Sequence, residues 1–291
     1  MSWSRLLYPD FQPASALALS HKSQIAFYGT SIVVFSGMDQ LTRKPAVYIG
    51  TSGWSYKHWK GIFYPQDLPQ KNWFQYFCEK FDTVEINASF YRIPILKTVR
   101  GWKERSPENF KFSIKMSRLV SHMKKLKNCA NELRWFFSVF EPLYPKIAVV
   151  LIQLPPLLKF DPARISEFSS LLPATYRFAF EFRNPSWYRE ETYEILARYG
   201  HIFCIHDMSG VVTEKVVTSD SIYIRFHGFD SIYGGDYPLT HLQGWAEWIK
   251  AQFLENRSVY AYFNNDIGGY AVKNCMSLRN MLEGFNLISA A

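Results

Sequence analysis

From residue 47 onward, short apolar, β-rich segments alternate with stretches whose apolar residues recur every three or four positions. The short segments fall at 47–51, 83–89, 111–115, 147–153, 177–183, 202–207, 221–227 and 258–264. They carry the β-branched and aromatic residues that suit a pleated, half-buried surface. Between them, Trp73, Phe77 and Phe81 share one helical face, as do Ile95, Val99 and Trp102. The same spacing links Ala130, Leu133, Phe137 and Phe140, then Tyr188, Thr192, Ile195 and Tyr199. It returns in Leu242, Ala246, Ile249 and Phe253, and finally in Ala271, Cys275, Leu278 and Leu282. Such spacing places side chains on one stripe of a helix. The sixth connection, 208–220, is too short and too β-branched for a helix. Eight strands with alternating helices over about 240 residues have the size and rhythm of an α/β (β/α)8 barrel. A doubly wound open sheet is the competing architecture, disfavoured because no glycine-rich dinucleotide turn follows a strand.

The parity of side chains along a strand assigns them to faces. Val84 and Ile86 oppose Glu85 and Asn87; Phe112 and Ile114 oppose Ser113 and Lys115. Phe178, Phe180 and Phe182 oppose Ala179, Glu181 and Arg183, and Ile224 and Phe226 oppose Tyr223, Arg225 and His227. Four strands thus keep an apolar face for helices and turn polar groups, near their C-terminal ends, to the other side. Charges inside a barrel are costly unless they pair or bind something, and active sites of this fold lie at the C-terminal mouth. Two readings follow: a self-satisfied ion-pair network closing the mouth, or a ligand site. Trp54, Gln153, Asp207, Asn264 and Asn265 join the candidates from the remaining strand ends. Lys115, Arg183 and Arg225 in one mouth favour a phosphate or carboxylate ligand.

Composition changes the picture modestly. The 291 residues are 48% hydrophobic and 20% charged, enough for a packed core and far from disorder. A net charge of +8 favours polyanionic or phosphorylated partners, although a solvated basic face explains it as well. No apolar run is long enough to span a bilayer. Cys78, Cys129, Cys204 and Cys275 are scattered without a C-x-x-C pair, which predicts reduced thiols and a cytoplasmic setting. Residues 1–44 read as a poorly ordered extension ahead of a barrel domain over 45–291, with Met38 as a possible alternative start. N-terminal sequencing of the native protein tests that expectation.

The run Tyr48-Ile-Gly-Thr-Ser-Gly-Trp54-Ser-Tyr56 resembles the opening of the YecE-like family, domain of unknown function 72. Phe63-Tyr-Pro65, Glu85-Ile-Asn-Ala-Ser-Phe-Tyr91 and Phe110-Lys-Phe-Ser-Ile-Lys115 with His122 continue the resemblance. So do Gln153-Leu-Pro-Pro156, Glu181-Phe-Arg183 with Trp187, Arg225-Phe-His-Gly228, Tyr233 with Tyr237, and Asn264-Asn265. It covers the chain from Val47 to near the C-terminus. The resemblance implies a TIM-like barrel with a short sixth connection; it does not imply a reaction. Two features depart from it: the long N-terminal extension, and His206 beside Asp207 in the sixth strand, which is not carried over.

The expected site therefore has Glu85, Glu181, Asp207 and His227 handling protons or one divalent ion. Trp54, Asn87, Tyr91, Lys115, His122, Gln153, Arg183, Arg225, Tyr233, Asn264 and Asn265 would contact the substrate. A multinuclear zinc site is disfavoured, since only His227 combines inward parity with a strand end. An acid/base carboxylate pair is disfavoured too, because the neighbouring cations depress both carboxyl groups. Gly50-Thr-Ser-Gly53 lacks the lysine and spacing of a P-loop. The leading expectation is an enzyme, hydrolase-, phosphodiesterase- or isomerase-like, acting on an anionic small molecule or a nucleic-acid end. The alternative is a non-catalytic nucleic-acid-binding barrel that uses surface cations such as those in Lys124-Lys-Leu-Lys127. Steeply salt-dependent nucleic-acid binding, unchanged by Glu85→Gln and Glu181→Gln, would favour the alternative.

Overall fold

The computed structural model describes residues 24–28, 31–35 and 44–288. Eight parallel strands close a barrel: β1 (Val47–Ser52), β2 (Thr83–Ile86), β3 (Lys111–Lys115), β4 (Ile147–Gln153), β5 (Phe178–Glu181), β6 (Ile202–Met208), β7 (Ser221–Phe226) and β8 (Ser258–Phe263). Each strand pairs with its neighbour in sequence, and β8 returns to β1 to remove both sheet edges. The helices are α1 (Trp73–Lys80), α2 (Leu96–Arg105), α3 (Ala130–Phe140), α4 (Pro162–Ser170), α5 (Glu190–Arg198), α6 (Leu239–Leu254) and α7 (Tyr270–Glu283). The expected (β/α)8 architecture is present. The sixth connection has no helix; Val211–Val212 folds back antiparallel on β6.

Residues 24–28 and 31–35 pair antiparallel, and 32–33 lie parallel to Val216–Val217 of the sixth connection. Met38, the alternative start expected above, lies outside the described residues.

Two separate apolar clusters follow from strand parity. The larger fills the layer between strands and helices, with Ile49, Val84, Phe112, Ile152, Phe180 and Phe226 among its strand residues. The smaller fills the barrel itself with Val149, Leu151, Ala179, Cys204, Tyr223, Tyr260 and Tyr262. At the floor, Tyr48 and Tyr260 stack with ring centroids 5.4 Å apart. Tyrosine suits the next level because it has an apolar body and a hydrogen-bonding tip. Tyr262 OH lies 2.7 Å from Thr83 Oγ1 and 2.9 Å from Ser113 Oγ. Tyr223 donates to Glu85 Oε2 at 2.7 Å. The barrel thus changes from apolar floor to polar mouth through tyrosine hydroxyls.

Gly50 permits this packing: a Cβ there would stand 2.4 Å from the Thr83 carbonyl oxygen. Two details differ from the periodicity. β2 ends at Ile86, and residues 88–91 form a helical turn. Ser89 anchors that turn by donating to the Lys115 carbonyl at 2.6 Å. Ile95, expected on an apolar helix face, is exposed and stands just before α2 in extended conformation.

Candidate functional site

The polar faces of β2, β5 and β7 meet at the C-terminal mouth. Arg225 lies between two carboxylates, with Nη2 2.8 Å from Glu85 Oε1 and Nη1 2.7 Å from Glu181 Oε2. All three side chains are removed from solvent. Ser52 donates to Glu85 Oε1 at 2.6 Å, so Ser52, Tyr223 and Arg225 together satisfy that carboxylate. Gln153 donates to Glu181 Oε2 at 2.9 Å, and Arg183 closes the far side by pairing with Glu181 Oε1. Ion pairs this deep survive only when their polar atoms find partners; here all four carboxylate oxygens have donors, while Arg225 Nε is buried without a partner.

His227 extends the network. Its Nε2 lies 2.8 Å from Arg183 Nη2 and 3.2 Å from Glu181 Oε1. The Arg183 guanidinium at Nε2 and the Asn264 amide nitrogen, 3.2 Å from Nδ1, can both only donate, so the neutral imidazole accepts from just one of them. Burial and the Arg225 charge pull the imidazole down to about 3, leaving it neutral near pH 7. Burial alone would raise the Glu181 carboxyl, but the Arg183 and Arg225 guanidiniums hold it well below the usual range. Glu181 is therefore an acceptor that fixes its neighbours, not a proton donor at neutral pH.

Lys115 completes the cationic side. Its Nζ donates to Gln153 Oε1 at 2.9 Å and stands 4.3 Å from the Phe90 ring centroid. Burial, then the Arg225 charge, lowers the ammonium to about 8. Among the described residues it makes no ion pair. Toward the rim, His122 packs edge-on against Phe90, and Tyr91 is exposed beside the same ring. Tyr233 adopts a left-handed backbone, φ 63°, that brings its ring 5.7 Å from His227. Gly228 makes the turn beneath it possible, since a Cβ there would lie 2.1 Å from the Ser231 carbonyl oxygen. Asn87 is half-buried on the same rim, with its Oδ1 buried and unpartnered.

Three expected residues lie elsewhere. Asp207 faces the helices, where Oδ2 accepts from His241 Nε2 at 2.6 Å and Trp245 Nε1 at 2.9 Å. Strand register explains this: His206 lies beside Arg225 and Asp207 beside Phe226, so His206 takes the inward side. His206 is buried, its ring 6.1 Å from His227, and burial lowers it to about 4. Asn265 ties the loop after β7 to α7, donating to the Gly235 carbonyl and to Asn274 Oδ1, each at 2.9 Å. Trp54 packs on Phe74 and Trp102. The sequence reading missed Ser52 and Tyr223 as supports of Glu85, and Met208, whose Sδ lies 3.2 Å from Arg183 Nη1. Tyr223 shares parity with Arg225, a signal that pointed to it; Ser52 and Met208 had no comparable pattern.

Among the described residues, no three His, Cys, Asp or Glu side chains converge as metal ligands. The mouth carboxylates are occupied by arginine, glutamine, serine and tyrosine donors instead. A cleft of about 700 Å³ lies apart on the flank, lined by Gln75, Tyr76, Cys78 and Glu79 of α1 and by Arg105–Pro107.

This is a TIM-like barrel whose mouth holds a buried charge network with a cationic excess. The chain belongs to the DUF72 family of proteins of unknown function, whose model matches residues 48–289. It is similar to the UPF0759 protein YunF of Bacillus subtilis, 25% identical over 270 residues, 81% of this chain and 95% of that one. The UPF0759 protein YecE of Escherichia coli K12 is 26% identical over 145 residues, 49% of this chain and 50% of its own. A solved DUF72 family structure from Thermotoga maritima superposes with a TM-score of 0.74 at 30% identity, covering 82% of this chain and 99% of that one. One from Enterococcus faecalis superposes at 0.72 with 19% identity, covering 84% and 97%, and supports the fold. No helix among the described residues is long and apolar enough to cross a membrane.

Proposed function

We propose that the barrel mouth is an active site for a small molecule bearing a phosphate or carboxylate, or for the phosphate at a nucleic-acid end. The observation that carries this reading is a charge imbalance. Lys115, Arg183 and Arg225 face only Glu85 and Glu181, whose oxygens are already engaged, and Lys115 is left without a carboxylate. A desolvated, uncompensated ammonium is costly, and an anion would offset that cost. Arg183, the least buried of the mouth arginines, with 14% of its side chain exposed, and Lys115 are the groups an incoming ligand would reach. Glu85, Glu181 and Arg225 act beneath them as positioning residues. Asn264, Tyr233, Tyr91, Asn87 and His122 form the rim around the ligand. Asp207, Asn265 and Trp54 are left out of the site. The four cysteines are all unpaired, which supports a reducing, cytoplasmic setting.

Thermal unfolding with and without inorganic phosphate tests the reading. Saturation to a hundred times the dissociation constant stabilises a native protein by about 2.7 kcal/mol. Wild type should show an upward shift in Tm, Arg183→Ala should lose most of it, and the exposed-surface variant Lys127→Ala should keep it. An equal phosphate response in all three would reduce the charge cluster to architecture.

A further inference from the structure

Among the described residues two lysines, Lys115 and Lys146, are buried, and their surroundings differ. Lys146 Nζ is saturated by backbone and hydroxyl oxygens: Ser106 O and Oγ at 2.9 Å each, Pro107 O at 2.8 Å and Lys103 O at 3.3 Å. Such a cage makes Lys146 a structural tie, its amine turned into protein oxygens, even though burial lowers its ammonium from the ordinary value. Lys115 Nζ has a single oxygen acceptor, Gln153 Oε1, and a ring face. Gln153 is itself oriented by donating to Glu181, so its carbonyl oxygen is fixed toward the lysine. The rest of the amine makes no hydrogen bond to oxygen among the described residues, at the C-terminal end of β3, near enough to Arg183 for the guanidinium charge to act on it.

We propose that Lys115 is a nucleophile that condenses with the carbonyl carbon of an anionic keto or aldehyde compound to form an imine. This rests on the anion-site reading above, with Arg183 holding the phosphate or carboxylate while the carbonyl reaches Nζ. The amine lone pair forms the C–N bond, and the carbonyl π pair moves to oxygen, which takes a proton from water. Nitrogen returns one proton to solvent; the hydroxyl takes up a second proton and leaves as water as nitrogen forms the C=N bond, and nitrogen then releases its remaining proton to solvent. One carbonyl and one amine thus become one imine and one water, with no redox change. Attack requires the neutral amine, and an amine lowered to about 8 by burial and nearby cations supplies it near neutral pH. Phe90 and Gln153 contact Nζ, and 8% of the Lys115 surface stays open to solvent.

Borohydride, which reduces an imine to a stable secondary amine, tests this on the full-length protein with peptide mapping. Pyruvate and dihydroxyacetone phosphate are the probes, and acetone is the uncharged control. An adduct on Lys115 with both charged probes, weaker with acetone, suppressed by phosphate and lost in Lys115→Arg is the expected result. No adduct on Lys115, or labelling only at exposed lysines and unchanged in Lys115→Arg, would overturn the proposal. Acetone labelling Lys115 as strongly as pyruvate would overturn the anionic substrate class. The phosphate-dependent Tm of the same wild-type sample is an independent readout: stabilisation without any adduct removes the nucleophile and leaves the anion site standing.

Discussion

His206 and Asp207 are adjacent on β6 yet face opposite sides of the barrel wall. His206 lies beside Arg225 inside, and Asp207 beside Phe226 outside, bonded to His241 and Trp245. Asp207 is a clasp between β6 and α6. Asp207→Asn should cost about 1–3 kcal/mol, because a buried acceptor loses its charge between two donors. The phosphate-dependent Tm shift should remain that of wild type. Urea unfolding measures the first and thermal unfolding with and without phosphate the second, and a lost phosphate response would return Asp207 to the site.

Removing Arg225 should be far more damaging. Arg225→Met leaves Glu85 and Glu181 buried without their shared counter-charge, a loss of about 3–5 kcal/mol. Adding Glu85→Gln and Glu181→Gln to the same chain should recover part of it, since the unpaired charges go too. Denaturant midpoints of the single and triple variants check this; strict additivity would contradict the coupling.

Stability should fall on acidification from below about pH 6.5. His201, His206 and His227 are lowered to about 3, 4 and 3, each chiefly by burial. Unfolding frees them to protonate at ordinary values, so the unfolded state binds more protons and gains below pH 6.5. Glu181, lowered in the folded state, adds the same sign once pH drops through the carboxylate range. At pH 5 each such histidine costs about 2 kcal/mol. His201 packs against Phe178 and Phe180, away from the mouth network, so His201→Phe should flatten the profile between pH 7 and 5 by about that amount. An unchanged slope, read by urea unfolding at both pH values, would contradict this.

Phosphate affinity should fall as pH rises through about 8, where Lys115 loses its proton. Phosphate is already mostly dianionic there, so the change belongs to the protein. A decrease of about tenfold between pH 8 and 9.5, equivalent to about 1.4 kcal/mol, is expected by titration calorimetry. Lys115→Arg, charged throughout, should remove the dependence. A pH-dependent decrease of equal size in Lys115→Arg would assign the titration to another group.

Periodicity alone established most of the architecture. Eight β-rich segments, helical spacing between them and a helix-poor sixth connection predict the barrel, because each element must bury one face and only a few layerings do so. Within a strand, parity also sorted Glu85 from Val84, Glu181 from Phe180, and Arg225 from Phe226, since apolar side chains claim the helix-facing layer. Parity is relative, however, and in β6 both faces carry a polar residue near the end. Which of His206 and Asp207 enters the barrel was decided by register against Arg225, a pairing made across the chain that no local pattern encodes. Partners were likewise decided in three dimensions. Ser52 and Tyr223 meet Glu85 from the first and seventh strands, 33 and 138 residues away. Trp54 and Asn265 follow strands as mouth residues do, but loop geometry turns them into packing. The sequence determines which residues are too polar to face the helices; only closure of the barrel decides which charges cancel and leaves Lys115 without a carboxylate.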